Sequence, residues 1–245
     1  MQSIQFNSLL LPQIQNTIIM EKLIDTLNQF EEEIKTVKND ADLTTIFKKL
    51  APRFLYGGYI QICNEYKVYI RTVEFYFHSE KEHGIHDPIV YHRNGRDLKD
   101  APYFPLMTLH SHNSGIDITF EKEGKYRASV LIRAYEIIDK DGFYLKWEKI
   151  KKDKKDEKDK YMFVRHKDYQ FNTQSTYLKA VLNGFPLGND NGIKWIDSPR
   201  ESKENLGKPR QNVFLSESEW EYKPIEKPIK KRCERKWSFT REEQV

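Results

Sequence analysis

The sequence predicts an α+β fold: a single domain with a curved, mainly antiparallel sheet flanked by helices, plus a helical N-terminal extension. Three patterns lead there. Met20, Leu23, Leu27, Phe30, Ile34 and Val37 recur at three- and four-residue intervals, which puts them on one face of an amphipathic helix. From Gly58 the apolar period changes to two, so Tyr59 to Cys63 and Lys67 to Phe77 read as strands joined by a tight turn at Asn64-Glu65. Ala128 to Ile138 is apolar almost throughout, the pattern of a central strand.

The other elements follow in order. A second, short helix starts after Asp40 or Asp42 as its cap and ends near Pro52. Residues 78–105 have no period and collect His, Gly, Asp and Pro; a loop of that length in a compact domain is usually functional. Ile116 to Phe120 is a further strand, and Thr173 to Asn183 a helix closed by Gly184. The expected division is a helical extension over 1–42, an α+β domain over 43–222 with a mobile charged insertion at 151–160, and a basic tail over 223–245.

Composition narrows the class. With 245 residues the chain can bury a real core, and its 32% charged share implies long solvated segments around it. Two cysteines cannot build a disulfide framework, no stretch resembles a signal peptide, and the apolar runs are too short to span a bilayer. The expectation is a soluble monomer, cytoplasmic or otherwise intracellular, with no membrane partner. Of the net charge of +4, the stretch 223–236 alone carries seven Lys/Arg against two Glu. Such a patch suits a phosphate-bearing partner or a solvated tail. P-loops, nucleophile elbows and Cys-His pairs are absent, which disfavours nucleotide hydrolases, kinases and acyl transfer.

Two charges stand out of place. Glu74 sits inside the aromatic strand "TVEFYF", and Arg133 inside "ASVLIRAYEII". Strand alternation puts Val68, Ile70, Thr72, Glu74 and Tyr76 on one face. Isolated buried charges are costly, and opposite ones find each other. Glu74 and Arg133 are therefore expected on neighbouring strands with converging side chains, either as a structural ion pair or as a carboxylate poised for chemistry. The loop between them supplies His78, His83, His86 and His92. One histidine beside Glu74 and Arg133 would complete a set able to hold and deprotonate a water molecule.

Four pieces, in this order, resemble the alkyladenine (3-methyladenine) DNA glycosylase family: "LAPRFLYGG" (50–58), "TVEFY" (72–76), "HRNGR" (92–96) and "ASVLIRAYE" (128–136). "STYLKAVLNG" echoes a later helix, and the likeness covers roughly 43–192. The resemblance implies a monofunctional glycosylase that hydrolyses the N-glycosidic bond of a flipped base in DNA, with no cofactor. In it Glu74 activates water, His92 (or His86, given an insertion here) and Arg133 hold that water, and Tyr76 stacks on the base. The family's tyrosine wedge region matches "LMTLHSHNSGIDITF", where His110 or His112 takes the wedge position and Asp117 replaces an asparagine. An acidic pocket wall favours a cationic or donor-rich base. Phosphate contacts are expected from Arg93 and Arg96 and from Lys230, Lys231 and Arg232. The alternative keeps the cleft but not the chemistry: a module binding a nucleotide, a modified base or a protein. His110 and His112 near Asp117 also raise zinc, but neither a cysteine pair nor an H-E-x-x-H helix accompanies them, and the reading is that no metal is bound.

Overall fold

The computed structural model describes residues 22–79, 83–87, 89–90, 102–150, 160–178, 192–202, 205–211, 213–216 and 230–242, with backbone only at 150, 214–216 and 230–232. Helix α1 (Leu23–Ile34) buries Leu23, Leu27, Phe30 and Ile34, the face its spacing predicts. Helix α2 (Asp40–Tyr56) differs from expectation at both ends. Its cap is Asn39, whose side-chain oxygen accepts from Ala41 N at 2.8 Å and Asp42 N at 3.0 Å. Asp40 and Asp42 instead occupy the first turn, where their charges face the positive end of the helix. The helix also runs through Pro52. Losing one backbone donor there is outweighed by burying Phe54, Leu55 and Tyr56 in the next turn.

The sheet is antiparallel and curled. Its spine is the pair β2 (Tyr66–His78) and β5 (Arg127–Asp139), aligned along most of both strands. Each changes neighbour along its length. On its outer side β2 pairs first with β1 (Gly58–Ile62) and then with β11 (Ser238–Thr240). β5 pairs first with β4 (Gly115–Thr119), then with β6 (Tyr144–Ile150). β3 (Leu109–His112) extends the sheet beyond β4, and β8 (Ile193–Asp197) beyond β1. β6 forms a hairpin with β7 (Lys160–His166), whose connection is the charged stretch outside the described residues. β9 (Phe214–Ser216) and β10 (Lys230–Arg232) pair separately. Of the expected helix 173–183, the described part is a 3₁₀ turn at Ser175–Tyr177.

The spine changes face halfway along. Val73, Phe75 and Phe77 belong to the core, and so do Val68 and Ile70, two positions out of phase with them. β5 behaves likewise, with Ala128, Val130 and Ile132 in the core and then Tyr135 and Ile137. The cause is a register irregularity at Ile70/Thr72 and Thr72/Val73, where the ladder passes over first Arg71 and then Arg133. Strict alternation along 68–76 is therefore overturned: Val68 and Ile70 face the core, whereas Glu74 and Tyr76 face the other way. α1 and α2 cover the core face. Phe47 stacks on Phe75 at 4.4 Å, and Phe30 meets Phe120 edge-on at 5.1 Å.

The chain end also departs from expectation. Residues from Cys233 onward do not leave as a basic tail, because Trp237 and Phe239 are completely buried and β11 hydrogen-bonds to β2. Trp237 Nε1 donates to Thr44 Oγ1 of α2 at 2.9 Å, tying the end of the chain to its first third. Two buried aromatics outweigh the flanking charges that dominate the composition of this stretch. Among the described residues no helix is long and apolar enough to cross a membrane.

Candidate active site

The face of the sheet turned away from α1 and α2 is polar at one end. Register places His110, Asp117, Leu131, Glu74 and Ser238 in one row across five adjacent strands. Ser129 pairs with both Thr119 and Tyr76 in the next row. Partnered residues share a face, so this sequence of strands collects two carboxylates, hydroxyls and histidines on one surface.

Glu74 is 1% exposed, and three donors converge on it. Arg133 Nε donates to Oε2 at 2.7 Å, Tyr76 Oη to Oε2 at 3.0 Å, and the backbone N of Gln211 to Oε1 at 2.6 Å. That is the complement an acceptor-only carboxylate requires, and one lone-pair direction of Oε1 remains. Arg133 projects here because the irregularity frees it from the ladder. Burial works against its charge, but Tyr76 and Glu74 outweigh this and raise its pKa.

Asp117 is equally buried and accepts from Ser129 Oγ at 3.2 Å. His112 Nδ1 accepts from the backbone N of Ser114 at 3.1 Å. In a neutral ring the proton then sits on Nε2, which lies 3.4 Å from Asp117 Oδ1. His110 packs against Phe104, ring centroids 4.5 Å apart. Gly115 makes this corner possible: its φ is +154°, and a Cβ there would come within 2.0 Å of Ser175 Oγ. That hydroxyl is itself needed, accepting from Ile116 N at 3.1 Å.

The segment around Arg210 covers the other side. Arg210 is completely buried and forms a two-pronged ion pair with Asp87, Nη1–Oδ2 2.6 Å and Nη2–Oδ1 3.1 Å. Its guanidinium also lies over the Tyr76 ring at 4.4 Å. Burial disfavours the Arg210 charge, but Asp87 more than compensates and its pKa is raised. Tyr76 is fully enclosed, with Val90 and Leu131 against it.

The sequence-predicted residues divide into three groups. Glu74, Tyr76, Arg133, Asp117, His110 and His112 gather on the one face described above. His86 caps a different contact: its carbonyl accepts from Arg235 Nη1 at 2.6 Å and its ring meets His78 edge-on at 5.9 Å. His92, Arg93 and Arg96 lie outside the described residues, as do the side chains of Lys230, Lys231 and Arg232. Sequence reasoning missed Ser129, Asp87, Arg210 and Gln211. Only Asp87, followed by Pro88 in the long loop, carried any local signal. Among the described residues no group of three or more His, Cys, Asp or Glu is placed to hold a metal ion.

Burial, and behind it the Glu74 charge, raises the Tyr76 phenol well above its ordinary pKa; burial does the same to Tyr135. In the unfolded chain both ionise near pH 10, roughly. The unfolded state therefore holds fewer protons above that pH, so this contribution to stability is intact below it and is lost as pH rises further. We expect urea midpoints to fall from about pH 10 upward. Tyrosinate absorbance from at least two of the 14 tyrosines should appear only with unfolding. Complete tyrosine ionisation in a chain still folded by circular dichroism would contradict this.

No protein-family model, curated protein or solved structure matches this chain.

Proposed function

We propose that the protein is a DNA glycosylase-like hydrolase, in which Glu74 activates water against the N-glycosidic bond of a flipped, modified base. The observation that carries this reading is the Glu74 carboxylate itself. It is buried on the polar face and oriented by Arg133 Nε at 2.7 Å and Tyr76 Oη at 3.0 Å. With Gln211 N these make three donors, among the described residues, to about four acceptor directions, the last of which would serve a water. The same residues carry the resemblance to the alkyladenine glycosylase family. Asp117, with His112 beside it, forms the wall that selects the base. Because Glu74 is 1% exposed and Gln211 N lies on its Oε1, substrate reaches it only when Gln211 moves aside, with the Arg210–Asp87 pair kept as the anchor of that segment.

A second reading has its own observation. Arg210 occupies one face of Tyr76 and Gln211 N holds Oε1, as in a module whose buried pair is a structural lock and whose cleft binds without cleaving.

The test is release of free base from single- and double-stranded oligonucleotides bearing modified purines. A wedge histidine fills the gap left by a flipped base less well than tyrosine, and extrusion from a paired duplex costs a few kcal/mol, roughly. Mispaired or single-stranded substrates are therefore expected to react faster, and Asp117→Asn to lower the preference for cationic bases by about tenfold, the value of one charge-assisted hydrogen bond. Binding without release from any substrate would favour the second reading. Equal rates in all contexts and an unchanged Asp117→Asn profile would remove the roles given to His110, His112 and Asp117.

A further inference from the structure

Beyond the face change in the spine, the same outer surface carries a second polar site. Arg71 is on β2, three residues before Glu74 and so about 10 Å along the strand. It donates from Nη1 to Glu136 Oε1 at 3.0 Å. Tyr169 Oη donates to the same oxygen at 2.8 Å, and Arg241 Nη2 is a third donor to it. These residues line a cavity of about 280 Å³ together with Tyr56, Tyr144, Arg200, Glu201 and Glu242.

Its charge is unevenly placed. Arg71 and Glu136 are buried, at 6% and 3% exposure, and the Arg241 side chain is 11% exposed. Glu201, Glu242 and Arg200 are all exposed at the mouth, and water screens the three alike. The enclosed part therefore holds two guanidinium groups and one carboxylate. Arg241 spends one nitrogen on Glu136, which leaves the rest of its fork for a ligand. Arg200 is positioned by stacking on the Tyr69 ring at 3.9 Å, so a third fork borders the space with no ion pair to another described residue. Planar guanidinium forks match phosphate oxygens in pairs. Tyrosines supply the remaining wall, and Tyr169 is 42% exposed. A volume just under the roughly 300 Å³ of the smallest drug-like pockets suits a single nucleotide, not a chain of them.

We propose that this cavity binds a sugar phosphate monoester that also bears a planar base, a nucleoside monophosphate by chemical class. Arg241 and Arg200 take the phosphate, and Tyr169 and Tyr144 the ring. The site is separate from Glu74 and does not rest on the hydrolase reading.

Calorimetric titration of the full chain with adenosine monophosphate, inorganic phosphate and adenosine tests it. The monophosphate should bind, phosphate should compete more weakly, and adenosine should bind at least about tenfold less tightly than the monophosphate. Arg200→Gln, on an exposed side chain, should weaken the monophosphate without lowering the melting temperature, and Arg241→Gln should weaken it further. Glu136→Gln should tighten it, because the enclosed charge becomes more positive; a purely structural cluster would lose stability and gain no affinity. The proposal is overturned by three results: no monophosphate binding at millimolar concentration, equal affinity for adenosine, or affinity unchanged in both arginine variants.

Discussion

Base release is expected to fall by about 10²- to 10⁴-fold in Glu74→Gln, the range for removing a general base. The structure adds a second consequence. Glu74 faces three donors, and a glutamine has only one acceptor oxygen. If that oxygen takes Arg133 and Tyr76, the amide NH₂ meets the backbone N–H of Gln211, donor against donor. Leaving this part-buried donor unpaired costs about 1 kcal/mol, the low end for an unsatisfied group. The variant should therefore melt several degrees lower as well as being inactive, and circular dichroism at the assay temperature separates the two effects. Wild-type rates in a folded Glu74→Gln protein would transfer the role of base to another group.

The second large effect concerns stability. Asp87 and Arg210 are both 0% exposed, so truncating Arg210 to alanine strands a buried carboxylate. Such a loss typically costs about 3–5 kcal/mol. For a chain of this size it corresponds to a fall in melting temperature of roughly 10 °C. Asp87→Ala should be similarly damaging, whereas the double replacement Asp87→Leu with Arg210→Met should recover much of the loss, since an apolar pair removes both buried charges. The cycle closed by Asp87→Leu, Arg210→Met and their double variant, read by urea denaturation, measures the coupling. Purely additive losses would mean that the pair is not the energetic unit its geometry indicates.

The elements legible in the sequence were those whose signal is local. The α1 stripe at Leu23, Leu27, Phe30 and Ile34 is a property of consecutive turns, and the structure buries those four residues. The strands around Glu74 and Arg133 could be read for the same reason, as could the tendency of the two charges to meet. What escaped was whatever depends on two distant segments at once. The irregularity at residues 70–73 exists only relative to β5, so alternation along β2 alone misplaced Val68 and Ile70. Composition marked the end of the chain as charged, yet Trp237 and Phe239 find their partners in α2 and β2.

The sequence by itself determined the class of fold, the curled antiparallel sheet with its N-terminal helices, because apolar period and turn chemistry act within a few residues. It also determined that Glu74 and Arg133 are costly to bury apart and so belong together. Tertiary structure alone decided which residues complete their surroundings. Gln211 lies 137 positions from Glu74 and Arg210 lies 123 from Asp87, separations across which no periodicity carries information. Their contacts form because the folded sheet offers a buried carboxylate that must be satisfied, and the nearest donors are supplied by whatever segment the topology lays across it.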